Sequence, residues 1–226
     1  LPSNLAINDS IVTLILGESG SGKTASLRKL DPTNTLLIQS IKKPLSFKSK
    51  GWGVFSNENK TGNIMVSDDT ASILCLARRT RRKVIIVDDF QYILSNEFMR
   101  RSGETGYQKF TDIGVNAWKL FGELAKLPDD VRVYILAHTK TNDMGHVKIK
   151  TIGKMLDDKI TLEGMVTICL RTVVEGSEHY FATKNSGSDT VKAPISMFED
   201  DRIENDLALV DAAICAYLDM PQEVAN

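Results

Sequence analysis

Continuous apolar runs at Ile11 to Leu16, Thr35 to Ile38, Lys83 to Val87 and Val131 to Ala137 punctuate the chain. They are short, unalternating and rich in β-branched residues, the pattern of strands covered on both faces of a parallel sheet. Between them the spacing becomes helical. Ile73 to Arg79 and Asn116 to Lys126 carry apolar residues three and four apart, the latter through Ala117, Leu120, Phe121 and Leu124. Thr24 to Leu30 predicts a helix entered from a glycine-rich turn and stopped at Asp31-Pro32, where proline removes a backbone donor. Strands alternating with helices predict an α/β fold, a mostly parallel central sheet with right-handed crossovers and flanking helices.

After Ala137 the pattern changes. Thr139 to Thr161 is polar, lysine-rich and broken by Gly145 and Gly153, which predicts a long loop with one short helix. Val166 to Leu170 and His179 to Thr183, around the turn-like Glu175-Gly176-Ser177, predict a strand pair near the sheet edge. Leu207 to Leu218 predicts a closing helix after an acidic stretch that begins at Glu199. With no repeat, low-complexity tract or linker, the 226 residues read as one domain, with a core over about 11–194 and a C-terminal segment and helix over 199–219.

Hydrophobic content of 42% and charged content of 25% exclude a disordered or collagen-like chain. The 28 Lys and Arg against 29 Asp and Glu remove any chain-wide attraction to a polyanion, so a nucleic-acid site would have to be local. Cys75, Cys169 and Cys215 form no CxxC pair and read as reduced core thiols rather than zinc ligands. No apolar run approaches the roughly 18 residues a spanning helix needs. The first residues carry no charged-then-apolar leader pattern, so the sequence predicts a cytosolic protein with no membrane partner.

Gly17-Glu18-Ser19-Gly20-Ser21-Gly22-Lys23-Thr24 satisfies GxxxxGK[ST], preceded by a buried strand and followed by a helix. Glycines permit the positive-φ turns that aim successive N–H groups at an anion. Lys23 would reach the β- and γ-phosphates of ATP, Thr24 would offer a hydroxyl to Mg²⁺, and Ala25 would follow in the first helical turn. Lys83-Val84-Ile85-Ile86-Val87-Asp88-Asp89 is an apolar strand ending in two carboxylates, the pattern of a Walker B element. Strand C-termini build the ligand crevice of an open α/β sheet. Asp88 would hold the Mg²⁺ and Asp89 would orient or deprotonate the attacking water. His138 follows its strand directly and would sense the γ-phosphate, whereas the isolated His146 and His179 read as surface or structural residues.

Together, Gly17 to Thr24, Val84 to Asp89, the His138 strand end and Phe181-Ala182-Thr183-Lys184-Asn185 resemble the core of RecA-type P-loop ATPases. More closely, they resemble the single-domain AAA-family ATPases encoded by bacteriophages, including the RecA-like single-strand annealing proteins of phage recombination. Asp88 to Phe110, with Phe90-Gln91-Tyr92 and Asn96 to Arg101, looks typical of that group. The resemblance implies ATP hydrolysis at the interface of a homo-oligomeric ring or filament in the host cytoplasm. It makes Lys184, with Lys192 as a second candidate, a cation donated to the neighbouring subunit's γ-phosphate.

The resemblance also implies that the loops after the Walker B and His138 strands grip single-stranded DNA, through Arg100, Arg101, Tyr107, Lys109 and Phe110 and through Lys140, Lys148, Lys150 and Lys154. The cluster Arg78, Arg79, Arg81, Arg82 and Lys83 reads first as a solvated helix end and second as a DNA patch. One departure stands out. Such enzymes place a catalytic glutamate at the end of the strand after the P-loop helix, and here that position reads Ile38-Gln39-Ser40-Ile41-Lys42-Lys43. Either Asp89 replaces it or hydrolysis is weak, with Glu58 and Glu97 also open. A nucleotide-gated adaptor or loader, an ATPase serving a protein partner and a small-molecule kinase are the competing classes.

Overall fold

Seven buried or nearly buried residues, Ile11–Gly17, form strand β1 at the centre of the sheet. In a computed structural model of the chain, residues 9–153 and 155–220 are described. The remaining strands are β2 (Thr35–Gln39), β3 (Ile64–Val66), β4 (Val84–Asp88), β5 (Arg132–Thr141), β6 (Val147–Ile149), β7 (Ile168–Glu175), β8 (Glu178–Ala182) and β9 (Arg202–Glu204). Helices are α1 (Thr70–Arg79), α2 (Phe90–Arg100), α3 (Gln108–Leu124) and α4 (Leu207–Tyr217). The strands lie in the order β3-β2-β4-β5-β1-β7-β8-β9, with β6 paired to β5. From β3 through β7 neighbours run parallel, and the β7–β8–β9 edge is antiparallel. The result is the α/β fold with a mostly parallel, helix-flanked sheet that the sequence predicts.

Why the central strands read as unbroken apolar runs is visible in the two cores. Successive side chains on a strand point to opposite faces. Val12, Leu14, Leu16, Ile85, Val87, Val133 and Ile135 pack with α1, α2 and α3 on one face. Ile15, Ile86, Tyr134 and Leu136 pack on the other against Leu207, Val210 and Ile214 of α4 and Leu27 from the segment after the glycine-rich loop. Burying both faces removes the alternation that a half-exposed strand would show.

Several expectations are corrected. The helix expected after the loop is present as a 3-10 helix over Thr24–Lys29 and ends at Leu30 in extended conformation. The stretch expected as a long loop instead continues β5 to Thr141, returns through Asn142–His146 into β6 and enters a π-helical turn at Met155–Lys159. Its polar side chains follow from an exposed hairpin rather than from disorder. Cys75 is exposed on α1, so only Cys169 and Cys215 are core thiols, and all three are free. Lys154 falls outside the described residues. No helix among the described residues is long and apolar enough to cross a membrane.

Candidate functional site

Parallel pairing aligns the C-terminal ends of the central strands. Gly17 at the end of β1 is registered with His138 on β5, and Gln39 at the end of β2 with Asp88 at the end of β4. Because β5 lies between β1 and β4, it delivers His138 beside the acidic pair. The glycine-rich loop, the acidic pair and His138 therefore gather at one edge of the sheet, as the sequence predicts.

The loop itself is built by glycine and serine. Gly20 and Gly22 have φ of +79° and +98°, where a side chain would be strained. Ser21 Oγ donates to Glu18 O at 2.7 Å and lies 2.6 Å from Thr172 Oγ1, which donates to Leu16 O at 3.1 Å. β7 thus braces the loop from the side. A Cβ on Gly17 would collide with Thr172 Oγ1 and Ser21 Oγ, so glycine is required there for space rather than for φ. Lys23 folds over the turn, donating to Gly17 O at 2.9 Å and Glu18 O at 2.8 Å. Burial pulls its ammonium down to about 8, against the attraction of Asp89 and Asp88.

Thr24 Oγ1 donates to Asp88, 3.1 Å from Oδ2. Asp88 is wholly buried. Burial first, then the charge of Asp89, push its carboxyl up to about 6, while Lys43, the Thr24 hydroxyl and Lys23 pull the other way. Asp89 follows in left-handed conformation, φ 63° and ψ 47°, at the N-terminus of α2. Non-glycine residues there are strained by about 1–2 kcal/mol, a strain that clusters at functional positions. Its carboxylate meets Lys43 Nζ in an ion pair and lies 3.4 Å from His138 Nε2. Burial would raise the Asp89 carboxyl, but hydrogen bonds from His138 and Lys43 outweigh it and hold it at about 2. Gln91 on α2 accepts the His138 backbone N–H at 3.2 Å, and Tyr92 meets the imidazole edge to face.

These groups line a cavity of about 620 Å³ bounded by Ser19, Gly20, Gly22, Lys23, Thr24 and Ala25 on the loop side. Lys43 in the loop after β2, Asp89 just past β4 and His138 on β5 face it from the sheet; Arg28, His179 and Asn205 also reach it. Gly17, Glu18, Ser21 and Asp88 do not line it; the first three shape the loop and Asp88 stands behind Thr24. Its size suits a nucleotide, since small-molecule sites run about 300–1,000 Å³. A hydroxyl and a carboxylate oxygen facing each other suit Mg²⁺, a hard ion held by few protein oxygens and completed by water and phosphate. No cluster of three or more His, Cys, Asp or Glu able to hold a metal exists among the described residues, so any ion here must draw its other ligands from outside those side chains.

Sequence reasoning missed Lys43, Gln91, His179 and Asn205. Lys43 stands in the loop where a glutamate was sought; Glu58 and Glu97 do not line the cavity. Far from being isolated, His179 sets Nδ1 3.1 Å from Ser21 O. Lys184 is exposed outside the cavity, paired with Asp201 and donating to Glu199 O at 3.2 Å. Lys192 bridges to Cys169 through the backbone.

Among the basic loop residues, most cations have intramolecular partners. Arg100 pairs with Asp68 at 2.7 Å, Arg101 with Glu97, Glu104 and Asp112, and Lys140 with Asp157. Lys148 donates to Asp157 O at 3.1 Å. Lys109, expected as a DNA contact, is only 9% exposed and donates to Glu104 O at 2.7 Å beside the paired rings of Phe98 and Phe110. Tyr107, at 88%, and Lys150 are exposed. The arginine cluster at the end of α1 precedes β4 and so lies at the opposite edge of the sheet, where Arg78 pairs with Glu123.

A scan against protein-family models matches none, and a search of curated proteins finds no match.

Proposed function

We propose that the protein is a Mg²⁺-dependent, RecA-like P-loop ATPase acting on single-stranded DNA in phage recombination or replication. The observation that carries the nucleotide reading is the convergence of Lys23, Thr24 and Asp89 at one cavity on the C-terminal edge of a parallel sheet, with Asp88 directly behind Thr24. Lys23 would leave its loop carbonyls to meet the β- and γ-phosphates; Thr24 and Asp88 would hold the metal, directly or through water. Mg²⁺ held there would offset phosphate charge and relieve the buried Asp88 carboxylate. Asp89, kept ionised by His138 and Lys43, accepts a hydrogen bond from the attacking water. His138 and Lys43 would then meet the γ-phosphate, the first as its sensor. The DNA-binding, oligomeric and Lys184 parts of the reading rest on the resemblance, with exposed Tyr107 and Lys150 as the groups free to stack on a base and meet a phosphate.

A second reading, a nucleotide-gated adaptor that binds ATP and hydrolyses little, is favoured by one observation: Asp89 is clamped between Lys43 and His138. ATP binding and phosphate release, measured with and without single-stranded DNA at low and high salt, separate the two. Turnover that rises with DNA and loses that rise at high salt is expected of the ATPase. Tight binding without turnover in any condition selects the adaptor. Undiminished turnover in Lys23→Ala overturns the site.

A further inference from the structure

We propose that Asn205, framed by His179, is the nucleoside-recognition group of this cavity and selects an adenine base over guanine. The inference rests on the P-loop reading and deepens it. Asn205 is 4% exposed and lines the cavity, yet its side-chain Nδ2 is buried with no hydrogen-bond partner. An unmatched buried amide donor costs about 1–3 kcal/mol, a cost that is removed when the carboxamide turns toward the cavity and a ligand there accepts its hydrogen bond.

The surroundings say which part of a nucleotide belongs there. A Cβ on Gly22 would come within 3.0 Å of both Asn205 Oδ1 and His179 Nδ1, so these two side chains stand directly against the loop residue before Lys23. Lys23, Thr24, Asp89, His138 and Lys43 mark the phosphate and metal end of the cavity. At the Asn205 end the cations are already neutralised: Arg28 pairs with Glu204 at 2.9 Å, and Lys29 pairs with Glu204 at 3.0 Å and Asp206 at 2.8 Å. A balanced end suits the uncharged nucleoside, whereas the lysine-bearing end suits the triphosphate. A carboxamide presents one donor and one acceptor, which match the N7 acceptor and N6 donor of adenine but not the two acceptors, N7 and O6, of guanine.

Asn205 is held ready for this role by its backbone, not by its side chain. It sits between β9 and the Asp206 cap of α4; its carbonyl accepts from the Arg28 guanidinium, and Asp206 accepts from Ala208 N–H at 3.0 Å. Removing the amide group therefore takes nothing from the folded chain's own hydrogen bonds.

Fluorescence titration of Mg·ATP, Mg·GTP and Mg·tripolyphosphate against the wild type, Asn205→Ala, Asn205→Asp and Lys23→Ala tests it. Both Asn205 variants are expected to weaken ATP about tenfold, to leave tripolyphosphate unchanged and to lose the preference for ATP over GTP, with the thermal midpoint of the ligand-free Asn205→Ala protein not lowered. Equal loss of ATP and tripolyphosphate, or unchanged ATP affinity in both variants, overturns the proposal. A lowered ligand-free midpoint assigns Asn205 a structural role and does the same. Lys23→Ala separates the two levels: retained tripolyphosphate binding there refutes the P-loop reading itself.

Discussion

Lys43, in the loop after β2, closes an ion pair on Asp89, the residue that follows β4. A cation thus stands where the resemblance leads one to seek a glutamate, and it neutralises the nearest carboxylate. The pair restrains Asp89 until something else draws Lys43 away, and the γ-phosphate is the natural competitor. Lys43→Ala is expected to raise basal ATP turnover about fivefold, the equivalent of about 1 kcal/mol for a partly exposed pair. Steady-state phosphate release without DNA reads it. A fall in turnover would instead mean that the contact of Lys43 with the γ-phosphate outweighs its restraint on Asp89.

Asp89 is the acceptor closest to both His138 and Lys43, and its left-handed backbone aims a carboxylate at the cavity at the cost of local strain. Asp89→Ala is expected to leave ATP affinity within about threefold while cutting turnover by about 10²–10⁴, the usual contribution of a general base. Titration and single-turnover hydrolysis on the same preparation separate the two. Unchanged turnover would move the water-orienting role to another group.

Asp88 links the site to pH. Its folded-state carboxyl titrates near 6, above the 3.8 of an unfolded aspartate, so the folded state holds the extra proton between those values. The ionised form therefore destabilises the ligand-free protein fully above about pH 6, and the penalty fades as pH falls toward 4. Asp89, lowered to about 2, works oppositely: it stabilises above 3.8 and is lost only in stronger acid. Asp88→Asn keeps an acceptor for Thr24 and is expected to stabilise the ligand-free protein by on the order of 2 kcal/mol at pH 7.5. That gain shrinks toward pH 5 in paired thermal melts, and the variant's Mg²⁺-dependent ATP binding falls. A gain that does not change with pH would refute the assignment.

The glycines of the loop are not equivalent. Gly20 meets nothing within 4 Å of an added Cβ, so Gly20→Ala adds only left-handed strain of about 1–2 kcal/mol. Gly17→Ala drives a methyl into Thr172 and Ser21, and Gly22→Ala combines strain with contact to Asn205 and His179. Thermal unfolding is expected to rank Gly20→Ala as mildest. Nucleotide affinity is expected to fall most in Gly22→Ala, and equal effects at all three positions would count against this reading of the loop.

The loop was legible because eight adjacent residues carry all of its chemistry, and a buried strand announces it. What escaped detection arrives through space. His179 contacts Ser21 across 158 positions, and Asn205 depends on β9, whose Arg202-Ile203-Glu204 offers one apolar residue inside an acidic stretch. Pattern reading has no purchase on a three-residue edge strand, because its pairing with β8 rather than its composition makes it a strand. Helix α2 had a visible signal in Phe90, Ile93 and Leu94, three and four apart, which the carboxylates before it overshadowed. Lys109 read as a DNA contact because sequence does not reveal that it packs beside the paired rings of Phe98 and Phe110.

The far end of β5 provides the control for all of these effects. Arg132 opens the strand and grips Asp211 of α4 through Nε and a terminal nitrogen, both at 2.9 Å, while Tyr134 Oη donates to the same carboxylate at 2.6 Å. Arg132 is 8% exposed, so removing its partner leaves a buried charge uncompensated. Such losses cost about 3–5 kcal/mol, and partial exposure of Asp211 places Asp211→Ala toward the lower figure. Six residue steps of extended strand, about 20 Å, separate Arg132 from His138. Asp211→Ala is therefore expected to lower the denaturation midpoint strongly while leaving the affinity of the folded fraction for ATP unchanged, read by urea unfolding and by titration well below the midpoint. Loss of affinity without loss of stability would mean that α4 communicates with the cavity, through Asp206 and Asn205 at its own N-terminus.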